Sequence, residues 1–220
     1  MLVEKMKSII SVLTKNLNFL KEEVCFTVEK GKNMGYICGV KKGNLLNESY
    51  ATFIVNASNT TLILGSGVSA SFKEKCGQKL QVEMNAKFQM LEQKLHKGDV
   101  IATSSAEAKN FKYVLHAAVM DYNRGARGFD KLPTLEDIRR ILENIEYYLK
   151  WYADNNEKPI KLVVPLLGCG VGGLCKEEVI KIYRKFFLRK VSFQCNIVIY
   201  GYGIDDYLLL KRYFNCTEEE

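Results

Sequence analysis

Proline, tryptophan and histidine are scarce in this chain: three, one and two residues respectively among 220. Seven cysteines are present (Cys25, Cys38, Cys76, Cys169, Cys175, Cys195 and Cys216), scattered and odd in number. None forms a close CxxC pair, and His96 and His116 are too few to complete a zinc set, so no metal centre is expected. Unpatterned cysteines read as buried or indifferent thiols in a reducing compartment, which points to the cytoplasm. No apolar run approaches the roughly twenty residues of a membrane span. Lys5 and Lys7 precede Ile9 and Ile10, but polar residues interrupt the stretch and no small-residue cleavage site follows, so no signal peptide is expected. No run of like charge is long enough to read as a tail.

What is there is ordinary for one folded domain with a real core: 47% apolar and 26% charged residues. The net charge of +7 is spread along the chain and suits anionic ligands, with nucleic acid as a minor option. The organising stretch is Phe53 to Gly77. An apolar run, Phe53-Ile54-Val55, reads as a buried strand ending at Asn56 and Asn59. Gly65-Ser66-Gly67 makes a turn, and a helix is expected from Val68 to about Lys75. Strand, small-residue loop and helix N-terminus in succession form an anion site, because free N–H groups and the helix dipole both favour negative charge. A second site of this kind follows the strand Lys161–Val164: Pro165-Leu166-Leu167 leaves it, and Gly168-Cys169-Gly170-Val171-Gly172-Gly173 is the loop. Two such loops on one small domain suit a ligand with two phosphates, or one pyrophosphate held from both sides.

Residues 1 to 22 place Leu2, Met6, Ile9, Ile10, Leu13, Leu17 and Leu20 at helical spacing, an amphipathic helix expected to pack on the domain. Val24–Val28 and Tyr36–Val40 alternate like strands. Leu80, Met84, Phe88, Leu91 and Leu95 mark a long helix ending near Gly98, followed by strands Val100–Thr103 and Phe111–Val119. Residues 121 to 132 form a loop carrying Arg124 and Arg127. Thr134 is a good N-cap, with Asp137 three residues on, and Ile138, Ile141, Leu142, Ile145, Leu149 and Tyr152 make the core-facing stripe of the next helix. A helix Lys176–Phe187, a strand Asn196–Tyr200 and a helix Asp205–Phe214 complete an α/β chain. It is one domain, residues 23 to 220, with residues 1 to 22 as a helical extension.

Both loops match dinucleotide fingerprints in form, Gly65 to Ala70 as GxGxxA and Gly168 to Gly173 as GxGxxG. A nicotinamide site also needs an acidic residue at the end of the next strand. Val191-Ser192-Phe193-Gln194-Cys195 has none, and Glu83 falls inside a helix. Neither loop is followed by Gly-Lys-Ser/Thr, which excludes a P-loop.

The block Val55-Asn56-Ala57-Ser58-Asn59 with the loop Gly65-Ser66-Gly67-Val68, the Pro165–Gly170 loop, and the strand Tyr113-Val114-Leu115-His116-Ala117 together resemble the macro domain family of ADP-ribose-binding modules. The resemblance runs over roughly residues 36 to 214. It implies a three-layer α/β/α domain with a mixed central sheet, and binding of ADP-ribose or an ADP-ribosylated macromolecule, without membrane, metal or cofactor. The backbone N–H groups of Gly65, Ser66, Gly67 and Val68, and those of Gly168, Cys169, Gly170 and Val171, would enclose the pyrophosphate, with Ser69, Pro165 and Gly172 also among the ligand-binding residues. Asn56 belongs to the same block, and Asn59 would reach the distal ribose. Asn44, beside Leu45, stands where the family usually has the aspartate that holds the adenine amino group; its amide oxygen can still accept. Tyr202 matches the aromatic on the adenine side, with Tyr200 as the alternative.

The family's hydrolytic members often carry an aspartate directly after Gly-X-Gly-Val, and here that residue is Ser69, which cannot act as a general base unaided. Hydrolysis of a terminal ADP-ribosyl linkage would then proceed by substrate-assisted water attack, with Asn59 orienting the ribose. The alternatives are a non-catalytic reader and, with less support, an RNA- or poly(A)-binding module. His116 reads as a core histidine hydrogen-bonded to backbone, and Cys169 matches a Thr/Cys position that lines a turn and need not be a nucleophile.

Overall fold

The computed structural model describes residues 34–65, 67–92, 94–122, 131–156 and 159–214. The expected helix over residues 1 to 22, the strand at Val24–Val28, Ser66, and the arginines Arg124 and Arg127 lie outside them. Six strands form one sheet: β1 (Gly35–Lys42), β2 (Ala51–Asn59), β3 (Val100–Ser104), β4 (Phe111–Met120), β5 (Ile160–Pro165) and β6 (Gln194–Gly201). Their order is β1-β6-β5-β2-β4-β3. All neighbours are parallel except β3, which pairs antiparallel with β4 at the edge. The mixed sheet and its flanking helices are the three-layer α/β/α architecture that the sequence implied.

Helices α1 (Val68–Cys76) and α2 (Gln78–Met90), with a 3-10 turn at Leu45–Asn47, cover one face. Phe72, Cys76, Leu80 and Met84 pack there on Ile54, Val114 and Val163. Helices α3 (Leu135–Asn155), α4 (Lys176–Phe187) and α5 (Ile204–Phe214) cover the other, where Ile141, Ile145, Ile180, Tyr183 and Leu210 meet Phe53, Val55, Leu162, Val164 and Ile199. The central strands are buried on both faces, which is why β5 and β6 read as continuous apolar runs rather than alternating ones.

β2 ends at Asn59, the second of the two asparagines expected to close it, and runs through Asn56, whose buried side chain finds partners inside the fold. Two elements differ from the expected ones. The helix through Leu80 ends at Met90 and not near Gly98. Glu92 takes a left-handed backbone (φ 52°) that no helix continues through, and Leu95 returns to the core from the following loop. The 3-10 turn at Leu45–Asn47 was not foreseen; Asn44 is its N-cap, its Oδ1 accepting from Leu46 N at 3.0 Å.

Thr134 does cap α3. Its Oγ1 accepts from Asp137 N at 3.2 Å, and the Asp137 carboxylate accepts from Thr134 N at 2.8 Å, a reciprocal capping box. Thr134→Ala is expected to lower stability by about 1 kcal/mol, seen as a shifted urea midpoint at constant m-value.

The edge strand β3 is closed by side chains from both helical layers. Tyr148 of α3 donates to Val100 O at 3.1 Å and is also reached by the Ala102 backbone. Glu83 of α2 accepts from Ser104 N at 2.9 Å and from Ser104 Oγ at 2.6 Å.

Candidate functional site

The carboxyl ends of the five parallel strands lie along one border of the sheet. Between β2 and β5 the direction of winding reverses: β2 leads into α1 and α2 on one face, and β5 into α4 on the other. Open α/β sheets bind ligands at such a switch point. The two strands pair only at Phe53–Leu162 and Ile54–Val163, so they part before their carboxyl ends. Both glycine loops leave the sheet at this gap.

The first loop ends in the N-terminus of α1. Its N-cap, Gly67, has φ 60° and offers no side-chain cap. A Cβ added at Gly65 or Gly67 meets nothing within 4 Å, so the backbone borders open space. Among the described residues the amides of Gly65, Gly67, Val68 and Ser69 have no protein acceptor. No acidic residue stands in the first turn of α1. The other helices differ. Glu136 and Asp137 lie in the first turn of α3, Glu177 and Glu178 in that of α4, and Asp205 and Asp206 in that of α5. At α2 the Glu107 carboxylate lies against Gly77, the N-cap. Only α1, among the described helices, keeps the positive end of its dipole unneutralised.

In the second loop the glycines divide into two kinds. A Cβ at Gly168 would stand 2.7 Å from the Leu174 side chain, and one at Gly172 2.6 Å from Gly168 O and 2.7 Å from the Pro133 ring. These two allow the loop to fold upon itself. Gly170 and Gly173 meet nothing within 4 Å and leave its outer side bare. The turn is closed by Gly173 N donating to Gly170 O and Leu174 N to Gly168 O, both at 3.0 Å. The amides of Cys169, Gly170, Val171 and Gly172 have no acceptor among the described residues. Pro165 ends β5, its carbonyl accepting from Tyr183 Oη at 2.8 Å. Burial pushes the Cys169 thiol up to about 12, well above neutral pH.

Asn59 is buried at the rim of the first loop. Its Oδ1 accepts from Thr61 N, Thr61 Oγ1 and Ile63 N, and its Nδ2 donates to Ile63 O at 3.0 Å. The side chain thus shapes residues 59–63, and Nδ2 keeps a second N–H beyond the one given to Ile63 O. Asn56 is fully enclosed beneath the loop. Its Oδ1 accepts from Ser69 Oγ at 3.1 Å and its Nδ2 lies 3.2 Å from His116 Nδ1. The single Ser69 hydroxyl proton is shared between Asn56 Oδ1 and Ala57 O, the latter also at 3.1 Å. Its hydroxyl therefore faces the sheet, not the gap.

His116 is a core histidine, but its partners are side chains and not backbone as expected. The other ring nitrogen, Nε2, lies 2.9 Å from Thr103 Oγ1. With Asn56 donating, Nδ1 accepts and the ring carries its proton on Nε2. Burial alone holds its pKa down to about 3, so the ring is neutral.

The residues that the family resemblance assigns to the adenine side lie at the ends of β1 and β6. Asn44 follows β1, with its amide oxygen engaged by Leu46 N and Leu45 buried beneath it. Tyr202, just beyond β6, is 83% exposed, whereas Tyr200 is buried and donates to Glu48 Oε2 at 3.0 Å. Tyr200 is thus a packing residue. Sequence reasoning missed Glu48 altogether; an acid next to a turn carries no distinctive pattern. Among the described residues no group of three or more His, Cys, Asp or Glu side chains is placed to hold a metal. No described helix is long and apolar enough to cross a membrane.

Comparison with known proteins gives a coherent result. Residues 55–183 match the family model of the macro domain. A protein of Sulfurisphaera tokodaii is 30% identical over 153 residues, spanning 68% of this chain and 75% of its own. Among solved structures, the Oceanobacillus iheyensis macrodomain with ADP is similar at TM-score 0.67 and 19% identity, over 84% of this chain and 93% of that one. The Trypanosoma brucei macrodomain in complex with ADP-ribose is similar at TM-score 0.58 and 19% identity, over 80% and 68%.

Proposed function

This chain belongs to the macro domain family, and from that premise we propose that it binds ADP-ribose or an ADP-ribosyl group in the gap between β2 and β5. The observation that carries the reading is the bare N-terminus of α1 beside a second loop of free amides. The amides of Gly65, Gly67, Val68 and Ser69 take one phosphate, and those of Cys169 to Gly172 take the other. The strand order supports one layout for the remainder of the ligand. The adenine extends over β6 and β1 toward Tyr202, Asn44 and Leu45, and the distal ribose lies over β2 near Asn59.

The inward-facing Ser69 favours a reader over a hydrolase. No general base stands at the position where hydrolytic members of the family often have an aspartate, and the hydroxyl that replaces it is engaged beneath the loop. Binding without turnover is the expected behaviour.

Calorimetric titration with ADP-ribose, with AMP as control, tests the reading. Micromolar affinity for ADP-ribose and much weaker AMP binding is the expected result. Gly67→Val fills the open side of the loop and strains a backbone at φ 60°; it is expected to weaken ADP-ribose binding by about 100-fold or more, roughly 2.7 kcal/mol. Equal affinity of the variant and the parent protein excludes the first loop as the phosphate site.

A further inference from the structure

Four polar side chains from four elements form one buried chain under the first loop. Ser69 of α1 donates to Asn56 of β2, Asn56 meets His116 of β4, and His116 meets Thr103 of β3, at 3.1, 3.2 and 2.9 Å. A backbone carbonyl stands at each end: Ala57 O, 3.1 Å from Ser69 Oγ, and Ser104 O, accepting from Thr103 Oγ1 at 3.0 Å. None of the four residues is more than 4% exposed. Apolar residues of similar shape would fill this space without any need for matched partners, so a polar chain in which each side-chain polar atom meets a partner fixes geometry here. Its upper end is informative. Ser69 is the one residue in the first turn of α1 with a side-chain hydrogen bond among the described residues, and the N-cap, Gly67, supplies none.

We propose that His116 is a positioning residue for the phosphate loop: through Asn56 it holds Ser69, and with it the first turn of α1, so that the loop amides stay aimed into the gap. The proposal rests on the ADP-ribose reading for its ligand, and on the hydrogen-bond chain alone for its mechanics. A neutral imidazole suits the role because it accepts on one side and donates on the other, which Asn56 and Thr103 require. Phenylalanine keeps the shape and offers neither function. Glutamine offers both, Oε1 toward Asn56 and Nε2 toward Thr103.

The test compares the parent protein with His116→Gln and His116→Phe, with Thr103→Val as a milder break at the far end should the phenylalanine variant fail to fold. Amide hydrogen exchange is followed over residues 65 to 70, with α3 as the internal reference for global opening. His116→Phe, or Thr103→Val in its place, is expected to speed exchange of residues 65 to 70 about tenfold more than that of α3 and to weaken ADP-ribose about tenfold. His116→Gln should restore both to within about threefold of the parent. Ring nitrogen spectra should show a single Nε2-protonated tautomer at neutral pH, and an Nδ1-protonated ring overturns the sense of the chain. Exchange that rises equally in residues 65 to 70 and α3, with glutamine no better than phenylalanine, means a general structural role and overturns the proposal. A parent protein that binds no ADP-ribose removes the functional reading, and the exchange comparison then decides this inference by itself.

Discussion

Glu48→Ala is expected to destabilise the protein by about 3 kcal/mol, read from the urea midpoint at unchanged m-value. Glu48 follows the 3-10 turn and its side chain is 3% exposed. Oε1 accepts from Lys161 Nζ at 3.1 Å, Oε2 accepts from Tyr200 Oη at 3.0 Å, and Lys41 Nζ lies 3.5 Å from Oε2. One carboxylate thus joins the turn to β1, β5 and β6. Burial pushes its pKa up, but Lys161, Lys41 and the Tyr200 hydroxyl outweigh burial and hold it below the ordinary carboxylate value. Its contribution is therefore present above the ordinary pKa and lost as pH falls through the depressed one. Removal of the carboxylate leaves two ammonium groups and a buried phenol facing one another. The lysines are 32% and 25% exposed, so they can turn toward water, which places the loss at the lower end of the range for broken buried pairs, about 3 to 5 kcal/mol. Glu48→Gln keeps an acceptor for Tyr200 and is expected to lose less. A loss below about 1 kcal/mol for the alanine variant means that the lysines repack freely and the cluster contributes little.

Acidification should expose His116 as a second large contribution. In the unfolded chain the imidazole titrates near 6.5, whereas burial holds the native ring neutral down to about 3. Below pH 6.5 the unfolded state takes up a proton that the native state refuses, so this group's stability is full above 6.5 and declines as pH falls toward 3. Between pH 7.5 and 4.5 the loss from this one group is about 2 to 3 kcal/mol, two pKa units at about 1.4 kcal/mol each. Carboxylates titrate in the same window, so the measurement is a difference. Urea unfolding of the parent protein and of His116→Gln at both pH values should give a pH dependence shallower in the variant by about that amount. Parallel profiles exclude a buried, proton-refusing imidazole.

Local pattern carried much of the fold. The stripe from Ile138 to Tyr152 is the buried face of α3, and Thr134 caps it; the expected helix Lys176–Phe187 has the observed bounds. Both glycine loops lie where the strand–loop–helix reading put them. What local pattern could not supply is pairing between distant residues. Asn56 has its partner 60 residues away in β4, which nothing near it in the sequence announces. Leu95 continued a helical spacing by coincidence, and the left-handed Glu92 that ends the helix has no glycine or proline to announce it. The glycine-rich second loop reads as one signal, yet Gly168 and Gly172 serve close packing while Gly170 and Gly173 border open space. Tyr200 and Tyr202 were near equivalents in the sequence, and the end of β6 at Gly201 separates a buried phenol from an exposed one.

The capping of β3 bears on what this sheet can recruit. A border strand with unpaired amides and carbonyls is a template on which another chain can add a strand, in a swapped dimer or a growing fibre. Here Tyr148 and Glu83 occupy Val100 O, Ser104 N and the neighbourhood of Ala102 before any foreign strand arrives. Those contacts leave fewer groups on the antiparallel border for β-augmentation than a bare edge strand offers. Loss of the Tyr148 hydroxyl would return that border to the solvent as an open hydrogen-bonding rail.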